Sequence, residues 1–132
     1  MSLVLPIFLA LLTPGENTQM QRFDLLVAEH GLKDAKIILF VDYSKPITEH
    51  RFFAYDRGAR RIVYSDYVGH ARKSGLNVPH TFSNTLGSHM SALGRYRVGV
   101  AYESVTFGAS VRLHGLEKGN SRALDRAIVV HD

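Results

Sequence analysis

The feature that most constrains this chain is a run of β-forming residues with almost no polar interruption, KIILFVDY at positions 36–43. A strand with one wet face alternates apolar and polar residues, whereas an unbroken apolar run of this length reads as a strand covered on both faces. Ser44, Lys45 and Pro46 stop it. Beyond them RFFAYD (51–56) and RIVYSDYV (61–68) flank Arg57, Gly58, Ala59 and Arg60, which predicts a hairpin beside the buried strand. Strand patterns resume at GRYRVGVAY (94–102) and SVRLHG (110–115), with Gly108 between them, and RAIVVH (126–131) reads as a last strand of the buried type. Only one clear helix is expected. Thr18 with Gln21 forms a capping box, Phe23, Leu26 and Val27 make an apolar stripe, and Gly31 sits at the C′ position. The stretch LEKGNSRALDR (116–126) suggests a turn and a short helix. The fold class is therefore mostly β with one or two short α-helices, and an apolar content of 45% is enough for one hydrophobic core.

Two regions stand apart from this pattern. An apolar run at residues 3–12 is too short to span a membrane but has the length of a signal-peptide core. No Lys or Arg precedes it and no small-x-small cleavage site follows, so it fits a secretory signal in part; a short segment packed on the domain is the alternative. The expected organisation is an N-terminal apolar segment at 1–19 and a domain at 20–132. Residues 69–94 are rich in Gly, Ser, Asn and His and poor in aliphatics, and are expected to form a mobile segment lining a cleft.

Composition excludes several chemistries. With no cysteine there is no disulfide, no thiolate metal site and no thiol nucleophile in the sequence. Seven histidines invite a metal, yet none lie one helical turn apart and H-E-x-x-H is missing, so no metal site is expected. Neither S-x-x-K nor G-x-S-x-G occurs, which leaves no activated serine. The net charge of +4 comes from dispersed arginines, without the aromatic platforms of single-strand readers, and no nucleic-acid partner is expected.

Four segments carry a resemblance that patterning cannot supply. VDYSKPITEHRFFAYD (41–56), VGHARKSG (68–75), FSNTLGSHMSALGRY (82–96) and LHGLEKGNSRALDRAIVVH (113–131) occur in one order. Together they resemble the murein L,D-transpeptidase catalytic-domain-like family, a branch related to the YkuD-type transpeptidases, from about Asp24 to the end. The resemblance implies a β-rich domain in which a cysteine thiolate attacks a peptide bond of a peptidoglycan stem and passes the acyl group to an amine or to water. That chemistry needs a thiolate, a base and oxyanion donors, and implies no cofactor. The implied partners are peptidoglycan stem peptides, with no stable membrane span, and the implied location is the cell envelope if the N-terminal segment is a signal.

Residue by residue, His131 at the end of RAIVVH matches the family's strand-terminal histidine and becomes the candidate base or orienting group. His70 matches a histidine that follows a strand, as a cleft-lining or hydrogen-bonding group. Ser83, Asn84, Ser88 and Ser91 lie on the segment expected to face substrate, or serve loop geometry through their own side chains. Arg112 and Arg126 could pair with stem-peptide carboxylates or be solvated strand arginines. The family's glycine after the histidine is Asp132 here, and the Gly-Arg-Ser-x-Gly-Cys-Pro type segment with the nucleophile is not in the sequence. A shortened gene product or fragment is the favoured expectation, with a non-catalytic relative as the alternative.

Overall fold

The computed structural model of the chain describes residues 6–10 and 19–132. Thr18, the cap read from the sequence, and both flanks of the apolar run lie outside those residues. Seven strands form one sheet: β1 (Pro6–Ala10), β2 (Ile37–Asp42), β3 (Phe52–Asp56), β4 (Arg61–Asp66), β5 (Gly94–Ser104), β6 (Gly108–Gly115) and β7 (Val129–His131). Their order is β4-β3-β2-β1-β5-β6-β7. Two three-stranded antiparallel groups, β2 to β4 and β5 to β7, are thus joined through β1, which runs parallel to β2 and antiparallel to β5. Part of the apolar N-terminal run is therefore a central strand of the sheet.

The continuous hydrophobicity of β2 is explained by burial on both sides. Ile38 and Phe40 point to one face and meet α1 (Gln19–Glu29), while Leu39 and Val41 point to the other. Helix α1 buries Phe23, Leu26 and Val27, the residues of its apolar stripe, and Phe23 stacks on Phe40 at 4.0 Å and 7°. Gly31 takes φ +66 and Leu32 N donates to Val27 O at 3.1 Å, a 6→1 bond that ends the helix as its glycine predicts. On the opposite face Val41, Tyr43, Tyr96, Leu113 and Ala123 form a second core.

Three details differ from the sequence reading. β7 is an edge strand whose residues are only partly covered, because it pairs with β6 alone. The segment after β6 makes a 3-10 turn at Lys118–Asn120 followed by further turns rather than a helix, held by a reciprocal box between Glu117 and Asn120. The segment 69–93 is cross-braced rather than loosely tethered. Ser74 is buried and its carbonyl accepts from His80 N (2.8 Å) and Thr81 N (3.1 Å), while Lys73 N donates to His89 O and Ser83 N to Ser91 O. Polar bonds supply the anchoring that aliphatic side chains would otherwise give.

Candidate active site

A cleft of about 830 Å³ opens between the 67–92 segment and residues 125–132, over a floor that includes Val41, Tyr43, Tyr96 and Leu113. The size and the apolar floor with a polar rim suit a peptide-sized ligand. A second hollow of about 670 Å³ shares Phe52, Tyr67, Val68, Val130, His131 and Asp132 with it and runs on towards Ala101 and Ala109.

His70, Ser91, Arg126 and His131 all line the cleft. His131 ends β7 opposite Ser110 and is exposed, with its ring stacked on Phe107 at 4.1 Å and 13°. Its Nδ1 lies 2.7 Å from the backbone oxygen of Asp132, which can only accept, so Nδ1–H donates to it. Among the described residues none is hydrogen-bonded to Nε2. This is the arrangement a base needs, with one nitrogen held and the other open to a proton.

His70 is placed differently. Arg51 donates to its Nδ1 at 2.7 Å, and its Nε2 lies 2.8 Å from Gly75 O. Both ring nitrogens are occupied.

The loop candidates face inward. Asn84 Nδ2 donates to Lys118 O and Ser121 Oγ, and Asn84 Oδ1 accepts from Arg122 N. Ser83 Oγ accepts from Thr85 N, and Ser88 Oγ from Met90 N and Arg126. Neither Ser83, Asn84 nor Ser88 lines the cleft. Ser91 does, and its hydroxyl accepts from Ala71 N at 3.0 Å. Arg126 lines the cleft with a guanidinium already engaged: it donates to Ser83 O at 2.7 Å, to Ser88 Oγ and to Met90 O, tying the C-terminal segment to the loop. Arg112 is away from the cleft, with its guanidinium 4.2 Å over the Tyr102 ring on the other face of β6.

Burial sets the electrostatics of the floor. Desolvation pushes the Tyr43 and Tyr96 phenols above the ordinary tyrosine range, with Ser91 and then Arg51 pulling Tyr43 partly back. Tyr43 and Tyr96 therefore remain neutral hydroxyls at physiological pH. No group of three or more side chains able to hold a metal occurs among the described residues.

Sequence reading missed Arg51 and Tyr43. Both lie inside the VDYSKPITEHRFFAYD segment, but nothing in an arginine's type tells that it is buried, and the signal could come only from the fold.

The seven-stranded sheet thus ends in an edge strand whose terminal histidine lines a cleft walled by a long polar segment. Residues 16–132 match the L,D-transpeptidase catalytic domain, and the chain belongs to that family. No curated protein and no solved structure matches the chain. The family acts on peptidoglycan, and no helix among the described residues is long and apolar enough to cross a membrane.

Proposed function

We propose that the cleft holds a stem peptide of peptidoglycan, with His131 as base or orienting group, and that the chain as it stands binds without transferring an acyl group. The observation that carries this reading is His131 itself, anchored through Nδ1 and open at Nε2 on the rim of an apolar cleft. Tyr43 and Leu113 on the floor suit the aliphatic parts of a peptide, and His70, Ser91 and Arg126 form the polar rim. The thiolate that the family's reaction needs has no counterpart in this sequence, which holds no cysteine. A serine hydroxyl without an activating partner is a far poorer nucleophile at neutral pH. A second reading is a peptidoglycan-binding or partner-binding module, and in either the place of action is the cell envelope if the N-terminal segment is an export signal.

The experiment is to add tetrapeptide-containing muropeptides to the purified chain, following ring and amide signals by NMR and products by mass spectrometry. Shifts at Ser91 and His131 with no cross-linked or trimmed product are expected. A spectrum unchanged at high muropeptide concentration would remove the binding claim. Turnover that disappears in His131→Ala would show that another residue serves as nucleophile.

A further inference from the structure

Arg51 is fully buried beneath the cleft, yet it makes no hydrogen bond to a carboxylate among the described residues. Its guanidinium instead donates to Val68 O from Nε (2.9 Å) and NH2 (2.7 Å), to Lys45 O from NH1 (3.2 Å), and to His70 Nδ1 from NH2 (2.7 Å). It also lies 5.0 Å over the Tyr43 ring, which forms part of the cleft floor. A guanidinium has donors and no acceptor, so the nitrogen it meets must present a lone pair. The ring proton of His70 is then on Nε2, and that N–H donates to Gly75 O at 2.8 Å.

Gly75 is where the wall segment bends. Its φ is +143, and a Cβ there would stand 2.8 Å from Val78 O and 3.0 Å from the His80 ring. The bond from His70 therefore holds the one carbonyl at a turn that no other residue type could make without strain. Next to it Ser74 gathers the rest of the wall. Its carbonyl takes His80 N and Thr81 N, its hydroxyl takes Ser91 N at 2.8 Å, and the Ser91 hydroxyl takes Ala71 N. Tyr43 closes the circuit, edge-on to His70, with its hydroxyl donating to Gly69 O at 3.3 Å.

We propose that Arg51 and His70 form a strut that positions the cleft wall. Arg51 dictates the Nε2–H tautomer of His70, and His70 uses that hydrogen to fix Gly75 and the residues braced to Ser74. His70 is then a positioning residue with no lone pair left to offer, and proton transfer in the cleft falls to His131. This last clause rests on the function proposed above, whereas the strut does not.

The test has three arms on the full chain. Long-range ring nitrogen–proton correlation at neutral pH should show His70 as the Nε2–H tautomer; an Nδ1–H tautomer or a rapidly exchanging mixture would overturn the strut. Hydrogen exchange should rise about tenfold at Ser74, Thr81 and Ser91 in His70→Ala while the β2 amides are unchanged, since local opening is read residue by residue. His70→Gln, whose amide can still donate towards Gly75, should restore most of that protection, and Arg51→Lys, which loses the fork, should not. An unchanged wall in His70→Ala would sink the proposal without any question of misfolding. Finally, affinity for a tetrapeptide stem should fall and recover with the same variants. Restored protection with affinity still lost would mean that His70 touches the peptide directly and does not act through the wall. If the native chain binds no stem peptide, the proposed function fails, and the tautomer and exchange arms still decide the strut.

Discussion

The two halves of the sheet are built from the same strand types but are stabilised differently. In the β2 to β4 half, one face is roofed by α1, and Phe23 packs against Phe40, Phe53 and Tyr55 with ring centroids 4.0 to 5.7 Å apart. In the β5 to β7 half, Tyr96 and Leu113 point into the second core, so alternation turns Arg95, Arg97, Arg112 and His114 the other way. Arg95 donates to His30 O just past the end of α1, and Arg112 lies exposed over Tyr102. The first half is a buried core in the ordinary sense; the second is half core and half cleft, and its strength lies in hydrogen bonds such as those of Arg126 and the Glu117–Asn120 box. A binding site needs reachable surface, and the molecule provides it where apolar burial is least complete.

The largest expected effect is on the strand common to both halves. Deleting residues 1–12 removes β1 and leaves its neighbours β2 and β5 with unpaired ladder groups, so cooperative unfolding in urea should be lost; a single sharp transition would mean the halves are held together by packing alone. Next comes a contrast between the halves. Phe23→Ala, at a fully buried position, should cost about 3–5 kcal/mol by denaturant titration, against about 1 kcal/mol for Val130→Ala on the partly covered β7. Equal costs would erase the distinction.

A third effect follows from the phenols. Burial raises Tyr43 and Tyr96 in the folded state above the unfolded value of about 10, so their contribution to stability is intact below that pH and is lost as pH climbs through the folded values. Tyr55 under α1 is raised as well, but two such phenols, Tyr43 and Tyr96, line the cleft, where Tyr96 donates to Ala92 O at 2.5 Å, so alkaline unfolding should begin there. Far-ultraviolet circular dichroism with residue-resolved NMR between neutral pH and strong alkali would test it, and melting of α1 first would contradict it. The smallest effect is expected for Arg112→Gln, which loses a contact with Tyr102 on an exposed face and should change stability by no more than about 0.5 kcal/mol.

Much of the architecture was legible where physics is local. The unbroken KIILFVDY run, the hairpin around Gly58 and the glycine stop of α1 each depend on a few adjacent residues, and each stands in the structure as the sequence implies. Two things were not legible. The bracing of the 69–93 wall comes from bonds such as Arg126 to Ser83 and Asn84 to Lys118, between residues far apart in the chain, and composition cannot register them. The split between the histidines was equally hidden. His70 and His131 are the same residue type on the same cleft, and only the partners of their ring nitrogens set them apart.

The position of β1 has a consequence for how the protein is made. Ile7 lies opposite both Leu39 and Tyr96, so this strand leaves the ribosome well before its β5 partner exists. At roughly 5–20 residues per second, seconds pass in which one edge of a central strand is unpaired. Until Tyr96 and its neighbours emerge, α1 and the β2 to β4 group can fold as a nascent unit, but the cleft cannot form. During that interval the open edge of β1 is the place where a chaperone, or a second nascent chain, would meet the protein.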